Sequence, residues 1–149
     1  MYLIAICVVG LIFLIFGIFR MKQLRDRQEL ERYSIDAEEL HRLLESKKDV
    51  VVLDVRQPLD LLANAEMIPG AKRIPPQEVL ENPSLIPKDQ DSVVYCTCPS
   101  DKTSRAISKR AHALNFLRIR FLRGGLAAWK AQGYPVERYT DSFRLYTGA

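Results

Sequence analysis

The chain has 149 residues, 48% of them hydrophobic, and a formal net charge of +4 from 22 Lys plus Arg against 18 Asp plus Glu. That length holds one domain and excludes a two-domain enzyme. The small, dispersed positive surplus excludes a nucleic-acid partner, and three cysteines do not make a paired disulfide framework.

Charge is unevenly placed: residues 1–19 carry none, so every charged side chain falls in residues 20–149. Tyr2 to Phe19 reads YLIAICVVGLIFLIFGIF, which as a helix spans roughly 27 Å, near the hydrocarbon thickness of a bilayer. A cleaved signal peptide would start with positive charge and end in a small-residue cleavage site, and neither is present. Residues 1–19 are therefore predicted to be a transmembrane helix, with lipid around residues 2–19 and Cys7 a small hydrophobe inside it. Arg20, Lys22, Arg25 and Arg27 crowd its exit against Asp26 alone. By the positive-inside rule the protein is predicted to be single-pass in the cell membrane, with the following domain facing the cytoplasm. Residues 20–33, RMKQLRDRQELERY, lack Pro and Gly; they read as a helix extension or a charged linker, either a solvated stalk or a contact for anionic headgroups.

Residues 34–137 read as the folded domain and residues 138–149 as a tail, in which Tyr139, Phe143 and Tyr146 either fold back or meet a protein partner. Asp36 is a helix cap, with Glu39 three residues on to close a capping box and Leu40, Leu43 and Leu44 on one apolar face. Val50 to Leu53 is a short β-branched run suited to a strand buried on both faces, closed by Asp54-Val55-Arg56. A second run, Ser92 to Tyr95, ends at Cys96; a third, Arg118 to Phe121, precedes Gly124-Gly125, which allow a tight strand-to-helix turn. Between them Ile107, Ala111 and Leu114 repeat at helical spacing within residues 104–115. Strand, helix and strand in this rhythm predict an α/β domain, a parallel sheet with helices on both faces, preceded by one transmembrane helix. Trp129 is a packing anchor for the last helix, and His41 and His112 are expected on the surface.

Such sheets bind ligands beyond the carboxyl ends of their strands, and Cys96 stands at one of those ends. Thr97 to Ser104 follows as a polar loop running into a helix capped by Thr103 or Ser104. A thiol facing the first turn of a helix meets N–H groups and the positive end of the helix dipole, which favour the thiolate. Sites of this kind bring a cysteine from about 8.5 down to roughly 3.5–7.5. Lys102 and Arg105 add positive charge, so the loop suits a small anionic sulfur donor or a persulfide carrier. No His or carboxylate cluster joins the two thiols, so neither a metal nor another cofactor is expected.

At this point the sequence resembles the rhodanese-like sulfurtransferases, over about residues 34–137. Val51-Val52-Leu53-Asp54-Val55-Arg56 with Pro58 resembles the family's first signature, and Ile68-Pro69-Gly70-Ala71 with Ile74-Pro75 its conserved turn. Val93-Val94-Tyr95-Cys96 resembles the strand leading to its catalytic cysteine, and Leu122 to Trp129 with Gly133-Tyr134-Pro135-Val136 its closing signature. The resemblance implies that a loop cysteine takes a sulfane sulfur from a donor such as thiosulfate, becomes a persulfide, and passes the sulfur to cyanide or another thiol without a cofactor. N–H donors around the loop stabilise the persulfide anion.

The chain departs from the family at three places. Met67 stands where the turn usually carries His, and the usual loop Gly is missing. The common loop places Ser six steps after Cys; counted back from Ser104 that gives Cys98, whereas the end of the strand gives Cys96 and a loop two residues longer. The Cys-Thr-Cys-Pro form resembles a variant in bacterial rhodanese modules attached to membrane proteins. Position favours Cys96 as nucleophile, because it follows the strand directly and Pro99 removes a donor after Cys98. Cys98 is then the alternative nucleophile, or a thiol that resolves a persulfide or sulfenic acid on Cys96. Lys102 takes the cationic role of the family's loop Arg, with Arg105 the alternative, and Thr103 and Ser104 complete the anion site. Asp54 supports the loop in an ion pair with Arg56, or Arg56 binds the incoming anion. A catalytically weak binding or regulatory module at the membrane is the competing function. Cysteine phosphatase chemistry is disfavoured, since Arg105 lies seven residues from Cys98 and nine from Cys96 rather than six.

Overall fold

Residues 20–33 offer no helix breaker, and α1 (Tyr2–Tyr33) runs through the apolar segment and the charged one without interruption, which selects the helix extension over a linker. In this computed structural model, residues 2–46 and 48–140 are described, with residues 2–9, 29–31 and 99 described by their backbone alone. Two units divide at Arg32 and Tyr33. In the first, Leu11 to Phe16, Ile18 and Phe19 are all exposed; six successive residues cover more than a full turn, so the apolar surface encircles the helix. Among the described residues no helix is long and apolar enough to cross a membrane. Half of the expected span, with Cys7, lies outside the described side chains.

The second unit is built on five parallel strands: β1 (Ser34–Ile35), β2 (Val50–Asp54), β4 (Lys72–Arg73), β5 (Asp91–Tyr95) and β6 (Ile119–Leu122), in the order β1-β6-β5-β2-β4. The pairing of β2 with β5 runs from Val50 opposite Asp91 to Asp54 opposite Tyr95, so both strands end level at one edge of the sheet. Two short strands, β3 (Glu66–Met67) and β7 (Glu137–Arg138), pair antiparallel in a separate ribbon. The helices are α2 (Ala37–Glu45), α3 (Pro58–Ala63), α4 (Pro76–Glu81), α5 (Lys102–Ala113) and α6 (Gly125–Ala131).

Alternation along the strands decides which side chain meets which helix. Val52, Val93, Tyr95 and Leu122 form one cluster with Leu40 of α2 and Leu126 and Trp129 of α6. Leu53, Val94 and Phe121 are equally buried and fall on the opposite face, beside α5, which packs on α4, β5 and β6. Fully burying a Leu, Val or Phe side chain stabilises by roughly 1.5–3 kcal/mol. Trp129 is 1% exposed and its indole N–H donates to Pro135 O at 2.8 Å, the anchor expected of it.

Local capping differs from expectation in two places. Asp36 Oδ1 accepts the Glu39 N–H at 2.8 Å, but Glu39 turns to Arg120 at 2.7 Å instead of closing the capping box. Helix α5 begins at Lys102, ahead of Thr103 and Ser104, and it ends at Ala113, so Leu114 is exposed while Ile107 and Ala111 stay buried. His41 and His112 are half-buried rather than on the surface: His41 stacks on Tyr134 with ring centroids 4.0 Å apart, and His112 Nε2 is 2.9 Å from Ile119 O. Of the tail, Tyr139 donates its N–H to Ala65 O at 2.7 Å, while Phe143 and Tyr146 lie outside the described residues.

Candidate active site

The loop leaves β5 at Tyr95 and reaches α5 through a short 3-10 helix, Pro99–Asp101. Cys96 continues the buried side of the strand and is 2% exposed, Thr97 is exposed, and Cys98 is half-buried. The two thiols touch, with Sγ to Sγ 2.7 Å. Cys98 Sγ also accepts the Thr103 N–H, in the first turn of α5, at 3.2 Å. Cys96 Sγ lies 3.4 Å from Ser104 Oγ, whose own proton goes to Asp101 O at 3.1 Å. Cys96 has a single proton to give, and its nearest acceptor is Cys98 Sγ.

This pattern separates the thiols. Burial, and the hydrogen bond that Cys96 donates to Cys98, push the Cys96 thiol up to about 11. Burial also raises Cys98, but bonds from the Cys96 thiol and from Thr103 outweigh it, leaving Cys98 below the usual thiol range. The Thr103 N–H, in the first turn of α5, thus reaches Cys98, whereas position after the strand led to Cys96 as the thiol facing it. Alternation puts Cys96 and Cys98 on the same side, toward α5; the greater depth of Cys96 leaves the Thr103 N–H to Cys98.

No glycine shapes the turn. Ser100 (φ 59°) and Asp101 (φ 54°) adopt the left-handed region instead, where Asp is among the better-tolerated non-glycine residues. Asp101 is held there by the Gly124 N–H, which donates to its Oδ2 at 2.8 Å. Burial raises the Asp101 carboxyl, opposed by that bond and by the charges of Arg105 and Arg123. Gly125 (φ +52°) presses on the loop from behind: a Cβ there would sit 1.9 Å from Cys96 O. The pair Gly124-Gly125, read from sequence only as a turn, is also the latch of the cysteine loop; a glycine pair after a strand gives no hint of which distant backbone it must meet.

Among the expected site residues, Thr103 and Ser104 are gathered around the thiols. Lys102 is exposed and Arg105 is half-buried one turn into α5. Arg56 is not available to an anion. It is fully buried, with Nε and Nη2 on Asp54 at 2.9 and 2.6 Å, Nη1 on Asn64 O at 2.9 Å and Nη2 on Glu66 O at 2.9 Å. The ion-pair reading therefore replaces that of an anion-binding Arg56. Asp54 also accepts the Tyr95 hydroxyl at 2.9 Å, and that hydroxyl accepts the Ile68 N–H at 3.3 Å. The residue immediately before Cys96 is thereby tied to the buried ion pair, a connection that sequence order does not reveal. Met67, in the place of the family's His, is buried in β3. Among the described residues no group of three His, Cys, Asp or Glu side chains is placed to hold a metal.

Known proteins are similar to this chain in family and in fold. Residues 36–132 match the rhodanese-like domain family. A sulfurtransferase of Allochromatium vinosum is 34% identical over 104 residues, covering 68% of this chain and 92% of that protein. The crystal structure of a rhodanese-related protein from Thermoplasma volcanium superposes with a TM-score of 0.59 at 30% identity, covering 70% of this chain and 97% of that one. A crystal structure of a protein from Anabaena sp. gives 0.60 at 31% identity, covering 70% and 80%.

Proposed function

The chain belongs to the rhodanese-like domain family, and from that premise we propose that it is a sulfurtransferase in which Cys98 carries the sulfur. One observation carries this reading: Cys98 Sγ receives the Thr103 N–H at 3.2 Å and lies 2.7 Å from the protonated Cys96. That environment favours its thiolate. Cys98 also stands six residues before Ser104, the spacing of the family's common loop.

The Cys98 thiolate attacks the outer sulfur of a donor such as thiosulfate. A new S–S bond forms on Cys98, the donor's S–S bond breaks, and its electron pair leaves with sulfite. The resulting persulfide anion takes over the hydrogen bonds that held the thiolate, and a thiol or cyanide then removes its terminal sulfur. Lys102 and Arg105 draw the small anion to the loop by long-range attraction. The chemistry needs neither a metal nor an organic cofactor.

The membrane is the proposed location. Exposed apolar side chains encircle α1 from Leu11 to Phe19, and such a surface is costly in water. The basic cluster after it supports a single-pass chain with its second unit on the cytoplasmic side.

Thiosulfate:cyanide sulfur transfer by the full-length chain tests the function. Cys98→Ser is expected to lower the rate about a hundredfold or more, whereas Cys96→Ser keeps a measurable fraction. Equal loss in both variants removes the assignment of Cys98. The competing reading of a weakly active binding module is favoured by buried Met67 and by Pro99 directly after Cys98, and predicts no sulfite release from the wild-type chain.

A further inference from the structure

Cys96 has no bond to make in the transfer just described, yet among the described residues it is the thiol beside the sulfur that carries the load. Its Sγ is 2.7 Å from Cys98 Sγ, while the residue is 2% exposed and closed off from external thiols. Its backbone is fixed by Gly125 against its carbonyl, and its thiol is oriented by Ser104 Oγ at 3.4 Å. A thiol buried this way can react with only one partner.

We propose that Cys96 is a resolving thiol: when Cys98 carries a sulfane sulfur, Cys96 attacks Cys98 Sγ, expels the outer sulfur as hydrosulfide and closes a Cys96–Cys98 disulfide. The proposal rests on Cys98 being the sulfur carrier. A bond forms between the two cysteine sulfurs, and the bond between Cys98 Sγ and the outer sulfur breaks. The outer sulfur keeps that electron pair and takes the Cys96 proton, leaving as hydrosulfide. Both cysteines are oxidised to the disulfide as the sulfane sulfur is reduced. A bridge across a single intervening residue closes a small, strained ring, and strained disulfides are readily reduced. An external dithiol reductant therefore returns both thiols by exchange, itself becoming a disulfide. Over a full cycle the protein converts a sulfane sulfur and a dithiol into sulfide and a disulfide, so it works as a sulfide-releasing enzyme wherever a dithiol is the reductant.

The test is a single loading of the full-length chain in detergent with thiosulfate, without added thiol, followed by removal of the donor. Released sulfite, released sulfide and intact mass are then measured, and the Cys96–Cys98 peptide is mapped. The wild type is expected to release one hydrosulfide per chain, to become lighter by two hydrogens, and to yield a peptide with both cysteines bridged. Cys96→Ser is expected to load more slowly, to stay heavier by one sulfur on Cys98, and to release less than a tenth of the sulfide. Sulfite release by a wild type that keeps its extra sulfur unbridged overturns the resolving role alone, as does a Cys96→Ser chain that releases sulfide like the wild type. Absence of both sulfite and added mass in the wild type overturns the sulfurtransferase reading and this one with it. The bridged peptide is read on the wild type, so the outcome stands even if the Cys96→Ser variant fails to fold.

Discussion

Two cysteines separated by one threonine are chemically alike in the sequence and unlike in the fold. What separates them is burial and the placing of donors: Cys96 is buried and gives its single proton to Cys98, which also receives the Thr103 N–H. The thiolate of Cys98 is present above its lowered pKa and is lost as pH falls through it, whereas Cys96 stays protonated until about 11. Alkylation by iodoacetamide, followed by peptide mass across a pH series, is expected to modify Cys98 with a midpoint below that of a free cysteine, about 8.5, and to spare Cys96 at neutral pH. Preferential labelling of Cys96 would reverse the assignment. A second prediction separates structure from binding at Arg56. Arg56→Met leaves Asp54 buried without its cation, and breaking a buried pair costs about 3–5 kcal/mol. The thermal midpoint is expected to fall while the folded fraction keeps its KM for thiosulfate; a raised KM would return Arg56 to the anion site. The presence of this ion pair was legible in Asp54-Val55-Arg56, but not the two further acceptors of Arg56, because Asn64 O and Glu66 O are backbone atoms whose position depends on the path of the chain after α3.

The elements that carried an apolar pattern were legible: β2, β5 and β6 as β-branched or apolar runs, α2 and α5 as periodic ones. Those that escaped were α3 and α4, each of six residues, and β1, β3, β4 and β7, each of two, all too short to show a period, the strands forming only because a neighbour offers free backbone groups. Ser34 and Ile35, for instance, become a strand by pairing with Phe121 and Leu122. The loop between β5 and α5 belongs to the same class: its shape is imposed by the start of α6. Gly125→Ala is expected to be severe, since the new Cβ meets Cys96 O and the residue has φ +52°; overpacking and backbone strain together cost about 2–5 kcal/mol. Gly70, with φ +74° and nothing within 4 Å of an added Cβ, supplies the control, and alanine there costs about 1 kcal/mol from the left-handed backbone alone. Urea denaturation of both variants checks the contrast. Equal midpoints would mean that α6 does not press on the cysteine loop.

At the scale of the whole molecule, average composition conceals two different surfaces. The first unit exposes its apolar side chains all round the helix from Leu11 to Phe19, whereas the second buries most of its own on the two faces of a sheet and exposes only scattered leucines. Water tolerates the second and not the first, and this asymmetry is what the membrane proposal explains. Under that proposal Arg20, Lys22, Arg25 and Arg27 would set which side of the bilayer receives the second unit, since positive flanks resist translocation. The full-length chain is expected to sediment with membranes and to resist extraction by high salt and alkaline carbonate, which remove proteins held only by headgroup charge. In inside-out vesicles a protease should digest the second unit, and in right-side-out vesicles it should not. Replacing the four basic residues with glutamate removes the orienting charge, and a substantial fraction of the chains should then become protected in inside-out vesicles. Release by carbonate would limit α1 to a surface contact, and unchanged protease access after the four substitutions would mean that the second unit's folding, rather than the flanking charge, fixes its side.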